Sequence, residues 1–100
     1  MARPLADSID VPSAGTRVQI STKKEQVLSI IFTARKGNSG NVFLGDAAVS
    51  ATVGFQLAPE DTITLNPSLA LEHRTVVLLS DFWVDAATNG DDVDFIALVK

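Results

Sequence analysis

Polar and apolar residues alternate along much of this chain with the period of two that is typical of β-strands. In the longest run, residues 26–35, the side chains of Leu28, Ile30 and Phe32 fall on one apolar face. The last run, residues 92–99, alternates in the same way. The abundance of β-branched and aromatic residues favours strands over helices. The predicted strands are residues 17–21, 26–35, 42–44, 55–57, 62–65, 75–79, 82–84 and 92–99.

Turn signals separate these strands. The clearest are the loop at residues 36–41, the Ala-Pro-Glu-Asp turn at 58–61 and the Asn-Gly turn at 87–91. Residues 66–74 are ambiguous, because the initial Asn-Pro suits the start of a short helix whereas the later leucines could alternate in a strand. We expect a loop or one helical turn there. Seven or eight short strands without a long helix predict an all-β fold, an antiparallel β-sandwich or jelly roll.

The first residues do not show either period over a long enough stretch to predict an element. Proline, glycine and small polar residues dominate residues 1–16, so we predict an extended N-terminal arm preceding a β-sandwich domain of residues 17–100. The arm is either a frayed terminus or a segment that docks on a partner subunit through Leu5, Ile9 and Val11. In the second case, deleting the arm should abolish attachment and leave a folded domain.

Composition adds three constraints. A chain of 100 residues forms one domain, and 46% hydrophobic with 20% charged residues is a slightly apolar balance that suits a protein hiding part of its surface against a neighbour. The absence of cysteine excludes disulfides and thiolate metal sites. No apolar run approaches the ~18 residues of a membrane span, and no secretory signal is expected, so no membrane partner is predicted.

The charge of −4 is unevenly distributed. Residues 1–45 carry six Lys/Arg and three Asp/Glu, whereas residues 46–100 carry two and nine. An acidic chain without a basic stripe is a poor match for phosphate, so we predict no nucleic-acid partner. The asymmetry could serve head-to-tail packing between copies, or both halves could simply be solvated.

The sequence offers little for catalysis. His73 is the only histidine, and it lies beside Arg74 in a polar segment where an exposed histidine is ordinary. A Gly-x-Ser-x-Gly elbow is absent. Paired carboxylates of the glycosidase type need a cleft, which a domain of this size rarely spares. We therefore predict a protein that is not an enzyme and has no cofactor.

Carboxylates are concentrated in the last third of the chain, at Asp81, Asp85, Asp91, Asp92 and Asp94. Such a cluster could bind a hard cation, and residues 85–90 faintly resemble a calcium loop. However, an alanine occupies a position where that loop needs an oxygen ligand. Solvated turns and protection of an edge strand explain the cluster better, so no metal site is predicted.

Aromatic residues allow two interpretations. Phe43, Phe55, Phe82 and Trp83 could line a sugar-binding platform, or they could form the core and a subunit contact. If residues 82–84 form a strand, Phe82 and Trp83 point to opposite faces, so at most one of them is exposed. This argument favours the core or a subunit contact.

From residue 41 onwards, the turns and strands resemble a small β-sandwich module of virion proteins in tailed bacteriophages. The matching pieces are NVFLGD (41–46), VS (49–50), GFQLAPE (54–60), TITL (62–65), LSDFWV (79–84) and NGDDV (89–93). The chain departs from the module at residues 60–61, where Gly-Glu is usual, and at Phe43 and Trp83, which replace tyrosines. Residues 66–75 look like an insertion. These motifs are mostly turn and core residues, so they indicate fold more directly than role.

The resemblance implies a head decoration, or cement, protein on the outer surface of the phage head. Such a protein would bind the major capsid protein and copies of itself, as a homotrimer at local threefold axes held down by the N-terminal arm. Its contacts would add binding energy that the bare shell lacks. The alternative is a tail, neck or fibre-associated module that binds a receptor or carbohydrate. A short chain without a trimerising stalk favours the decoration protein.

Overall fold

The computed structural model describes residues 2–66 and 76–100, and it consists of two four-stranded antiparallel sheets packed face to face. One turn of 3-10 helix spans Leu79–Asp81, and no helix in the described part of the chain is long and apolar enough to cross a membrane. The strands are β1 (Arg3–Val11), β2 (Val18–Gln19), β3 (Val27–Ala34), β4 (Val42–Gly45), β5 (Phe55–Leu57), β6 (Thr62–Leu65), β7 (Trp83–Ala86) and β8 (Asp91–Val99).

The strand order is that of a jelly roll. Sheet A has the order β1-β8-β3-β6 and sheet B the order β2-β7-β4-β5. The chain crosses repeatedly from one sheet to the other, so most neighbours within a sheet are distant in sequence. Two interleaved four-stranded sheets of this kind are the jelly-roll arrangement. The predicted all-β antiparallel sandwich is therefore confirmed.

The core lies between the sheets and follows from strand alternation. Phe32 of β3 is fully buried at its centre, with ring centroids 5.3 Å from Phe82 and 6.1 Å from Phe95. The register between β3 and β8 shifts between Val27 and Ser29, so Val27 joins the core although simple alternation places it on the opposite face. The buried apolar cluster comprises Val11, Ile20, Val27, Ile30, Phe32, Ala34, Val42, Leu44, Leu57, Leu79, Val84, Ala86, Val93, Phe95, Ala97 and Val99.

The N-terminal segment differs from the prediction. It is extended, but Arg3–Val11 is strand β1, which pairs with β8 along its whole length, from Arg3 opposite Val99 to Val11 opposite Asp91. The segment is therefore an edge strand of the sandwich, and the predicted boundary between residues 16 and 17 does not separate two units. The segment forms a strand because alternate residues, Leu5, Ile9 and Val11 among them, turn towards the core. The prolines and small residues of the segment conceal this alternation in the sequence.

A second difference concerns the strand predicted at residues 75–79. Residues 67–75, including His73, lie outside the described residues. Of the remainder, only Leu78 forms a single antiparallel bridge, with Gln26, and the 3-10 turn follows at once. The Asp81 carboxylate accepts a 2.9 Å hydrogen bond from the Leu78 amide and so stabilises the turn in place of a strand.

The turn after Pro59 has a backbone conformation that is unusual for its residue type. Glu60 has φ of 74°, the only positive φ of a non-glycine residue in the described ranges. This left-handed conformation is the one that glycine adopts most readily. The Glu60 amide bonds the carbonyl of Ala34 at 2.9 Å, which ties the turn to the end of β3.

Candidate functional site

The residues predicted to bind a partner point into the protein's own core. Leu5 and Ile9 are half-buried and pack against the apolar cluster, and Val11 is fully buried. The three share one face of β1, and that face is turned towards sheet B. The prediction that they dock on another subunit is therefore wrong for this structure, because they are already occupied within the fold.

The carboxylates of the predicted acidic cluster make different contacts in the structure. Asp85 is 1% exposed and accepts hydrogen bonds from the amides of Gly15 at 3.0 Å and Ala86 at 2.8 Å. Asp91 is likewise buried, and each of its carboxylate oxygens accepts a 2.9 Å hydrogen bond from the loop at residues 39–40. The hydrogen bonds from backbone amides thus satisfy two carboxylates that are themselves buried. Across residues 2–66 and 76–100, no three metal-ligating side chains converge.

The outer surface of sheet A, here called the open face, exposes apolar side chains side by side. Ile31 is 39% exposed, Ile96 49% and Leu98 46%. Ile31 lies opposite Ile96 in the register of β3 and β8, and Ala6 lies opposite Ile96 on the other side. Leu98 adjoins Pro4 in the next outward-facing row. The apolar residues of the open face are Pro4, Ala6, Ile31, Ile96 and Leu98.

One end of the open face is polar and is organised by Arg35. Its guanidinium donates to the Asp94 carboxylate at 2.8 Å and to the Ser8 hydroxyl at 2.6 Å, and it forms an ion pair with Asp92 at 3.3 Å. These contacts join β1, β8 and the end of β3. The hydrogen bond and the charge of Asp94 raise the pKa of Arg35.

The two carboxyls of this network differ in pKa. Burial, together with a hydrogen bond to Asp10, raises the pKa of Asp92 above its ordinary value despite the nearby Arg35. Burial also raises the pKa of Asp94, but hydrogen bonds from Ser8 and Arg35 outweigh that effect and the pKa of Asp94 is lowered. The charged form of Asp94 is therefore the one that the fold favours.

The outer surface of sheet B, here called the covered face, is largely withdrawn from solvent. Phe43 is only 6% exposed, although it points away from the core between the sheets. The segment after β1 crosses this face, where Gly15 bonds Asp85 and the Arg17 guanidinium lies 5.9 Å from the Trp83 ring. On the other side, the loop after β4 places buried Val49 against Gly45.

A third surface is the edge cleft, which opens between the last strands of the two sheets, β5 and β6. Its volume is about 320 Å³. Phe55 lies at the end of the short strand β5 and is 53% exposed. The cleft is lined by Leu44, Gly45, Asp46, Phe55, Ile63, Leu65, Asp81 and Phe82.

The aromatic residues do not form one platform. Phe82 packs against the core and Phe43 belongs to the covered face, so the interpretation as core or contact residues holds for both. Phe55 and Phe82 both line the edge cleft. The sequence did not indicate this proximity, because it depends on the order of strands in the two sheets. The open face could be detected in part from the sequence, since Ile96 and Leu98 are large apolar residues on the outward side of the last strand.

Comparison with known proteins supports the fold alone. No protein-family model and no curated protein matches the chain. A structure of Bacillus endospore appendages, which form disulfide-linked pili, is similar at 12% identity and a TM-score of 0.55, over 98% of this chain and 85% of that chain. IMPa from Pseudomonas aeruginosa, solved with an O-glycopeptide, is similar at 9% identity and a TM-score of 0.54, over 97% of this chain and 12% of that chain. A cupin superfamily protein from Desulfitobacterium hafniense reaches 13% identity and a TM-score of 0.47, over 99% and 68% of the two chains.

Proposed function

We propose that this chain is a non-enzymatic virion structural protein of a tailed bacteriophage, a head decoration (cement) protein. It binds the outer capsid and stabilises contacts between major capsid subunits. The observation that carries the proposal is the open face, where Ile31, Ile96 and Leu98 are each 39–49% exposed on adjoining strands. Contiguous exposed apolar patches of this kind mark sites of protein–protein contact.

The remaining features support a protein that works through buried area. Asp85 and Asp91 bond the backbone, so their carboxylates contribute to stability. The chain has no cysteine, so its association with other subunits cannot rest on disulfides. Jelly rolls build many viral capsid proteins, but they also serve other functions, so the fold supports the proposal by analogy only. The homotrimer stays a prediction from the resemblance.

The test uses expanded heads assembled from the major capsid protein encoded in the same genome. Added chain should co-sediment with the heads to a saturating ratio and should raise their melting temperature, because binding stabilises the state that is bound. Ile96→Lys should weaken coating, whereas Val53→Lys, at a residue 55% exposed on a loop away from the open face, should not. Absence of co-sedimentation would refute the decoration role.

The edge cleft favours one alternative, a tail, neck or fibre-associated module that binds a receptor or carbohydrate. Phe55 offers an exposed ring for stacking on a sugar, and the exposed carboxylates of Asp46 and Asp81 line the same cleft as acceptors. A glycan array would test this function. Binding that Phe55→Ala removes, together with attachment to purified tails and not to heads, would favour the module over the decoration protein.

A further inference from the structure

The open face has a charge pattern that is complementary to itself. Its central strand, β8, turns every second residue outward, and these residues read Asp92, Asp94, Ile96 and Leu98, with Lys100 continuing the alternation just after the strand. The face is therefore acidic at one end, apolar in the middle and basic at the other end. Ile96 lies midway between Asp92 and Lys100.

The neighbouring strands reinforce the pattern. At the acidic end, Asp10 lies opposite Asp92 and adds a third carboxylate to those of Asp92 and Asp94, while Arg35 balances one charge of the network. At the basic end, Arg3 lies on the other side of β1 and is paired with Glu25, so Lys100 is the basic side chain that continues the open face. The middle row contains Ala6, Ile96 and Ile31, all exposed.

We propose that the open face binds the open face of a second copy of this chain. The twofold axis lies in the interface, at right angles to the strands and level with Ile96. Each β8 then runs antiparallel to the β8 of the other copy, so Ile96 packs on its counterpart and Lys100 lies over the acidic end. A twofold contact of this type requires one surface that is complementary to itself, which this face provides.

The available area suits a reversible pair. Strands β1, β8, β3 and β6 have nine, nine, eight and four residues. At a spacing of about 4.8 Å they cover roughly 475 Å² on each copy, or about 950 Å² in total. That area is at the lower limit for a specific interface, so we expect a dissociation constant on the order of micromolar. This inference goes beyond the proposed function, because it concerns the isolated chain. The pair and the capsid contact would use the same open face, so a copy that docks on a head exchanges one contact for the other. The pair also differs from the homotrimer implied by the resemblance.

Sedimentation equilibrium of the purified chain tests the pair. The wild type should approach twice its mass of 10.6 kDa as concentration rises. Ile96→Lys should weaken association at least about tenfold, since it places two like charges on the axis. Leu98→Ser is a milder second variant, and Val53→Lys, on an exposed residue away from the face, should associate like the wild type. Circular dichroism should show all variants folded.

A charge exchange tests the orientation. Lys100→Glu should weaken the pair about threefold, and adding Asp10→Lys should restore part of the loss because the two ends meet across the axis. A monomer at every concentration would overturn the inference, as would a three-copy mass that Ile96→Lys leaves unchanged. Failure of these tests alongside normal coating of phage heads would reject the pair and retain the proposed function.

Discussion

The two sheets of this jelly roll treat their outer surfaces differently. On sheet B, Phe43 is 6% exposed and Asp85 is 1% exposed, and the segment after β1 and the loop after β4 lie against that surface. On sheet A, Ile96 and Leu98 are nearly half exposed on a strand whose other side is buried core. The chain's own loops therefore bury the outer surface of sheet B and leave the outer surface of sheet A exposed.

The difference between the two surfaces is the reason for treating the open face as a docking surface. The protein covers Phe43 on sheet B with its own loops, whereas Ile31, Ile96 and Leu98 stay exposed side by side on sheet A. Large exposed apolar residues on adjoining strands carry a risk of aggregation, which a protein tolerates where the surface has a partner. This reasoning connects the fold to the proposed role in assembly.

Deleting residues 1–16 should have the largest effect, because the deletion damages both surfaces at once. It removes β1 from the edge of sheet A and the residues that bond Asp85 on sheet B. Burial of a Val or Leu side chain is worth about 1.5–3 kcal/mol, so losing Leu5, Ile9 and Val11 costs several kcal/mol, comparable with a typical total stability of about 5–15 kcal/mol. Circular dichroism and urea titration should show an unfolded or insoluble chain.

Deleting only residues 1–2 is the matched control and should change the free energy of unfolding by less than about 0.5 kcal/mol. A 17–100 chain that unfolds cooperatively at the wild-type midpoint would show that β1 is dispensable. It would restore the prediction of a separate N-terminal arm.

Asp85→Ala should loosen the segment after β1 that lies over the covered face, because that segment is bonded to the Asp85 carboxylate. The buried amide of Ala86 and the amide of Gly15 would lose their acceptor, at a cost of about 2 kcal/mol and a fall in Tm of about 10 °C. Asp85→Asn keeps the accepting oxygen and should lose less than half as much. Thermal unfolding followed by circular dichroism measures both. Equal losses in the two variants would mean that the charge matters more than the hydrogen bonds.

Gly54→Ala should disturb the other cover of sheet B. Gly54 has φ of 143°, and an added Cβ would lie 2.6 Å from Val49 Cγ2 and 3.0 Å from the Leu44 carbonyl oxygen. Strain and displacement of Val49 should cost about 1–2 kcal/mol. Gly37→Ala is the control, since a Cβ there meets nothing within 4 Å and its φ is not positive. If chemical denaturation gave equal stabilities for the two variants, Val49 would not be fixed by this loop.

The smallest effect concerns the acidic end of the open face and depends on pH. The folded pKa of Asp94 is lowered, so its charge contributes stability above the ordinary value of 3.8, and this contribution is lost as pH falls through the folded pKa. Asp94→Asn should therefore destabilise at pH 7 by less than about 1 kcal/mol, since the carboxylate is partly solvated, and should have no effect near pH 2.

Asp92→Asn should show the opposite sign. The folded pKa of Asp92 is raised, so its charge costs stability at pH values above the folded pKa. Removing the charge should leave stability equal or a few tenths of a kcal/mol higher at pH 7, and the gain should vanish below the ordinary pKa. Denaturation curves from pH 2 to 7 measure both variants. The same pH dependence in the two would contradict the assigned roles of Arg35, Ser8 and Asp10.

Sequence patterns predicted the strands that are buried on one side. β3, β5, β6 and β8 follow from alternation, and β4 follows from a short apolar run closed by a turn signal. β1 was missed as a strand because its alternation is diluted by Pro4 and by exposed Asp7 on the inward-facing side. The segment before the 3-10 turn was predicted as a strand because Val76 and Val77 favour β-structure, but a local hydrogen bond to Asp81 decides its conformation.

The candidate surfaces depend on topology, which the sequence pattern does not contain. Ile96 and Leu98 can be assigned to the outward side of the last strand from the sequence, but Ile31 joins them only through the pairing of β3 with β8. The edge cleft needs β5 and β6 to be the last strands of their sheets. The buried positions of Asp85 and Asp91 likewise follow from loops that return from distant parts of the chain.

The most direct test of the account follows backbone amide chemical shifts by NMR as the protein is diluted. If the open face binds other protein copies, the signals of residues 29–33 and 94–98 should shift with concentration, while those of Phe43, Trp83 and Asp85 on the covered face stay constant. Shifts confined to the covered face, or no shift on either face up to millimolar concentration, would contradict the claim that sheet A binds a second copy of the chain.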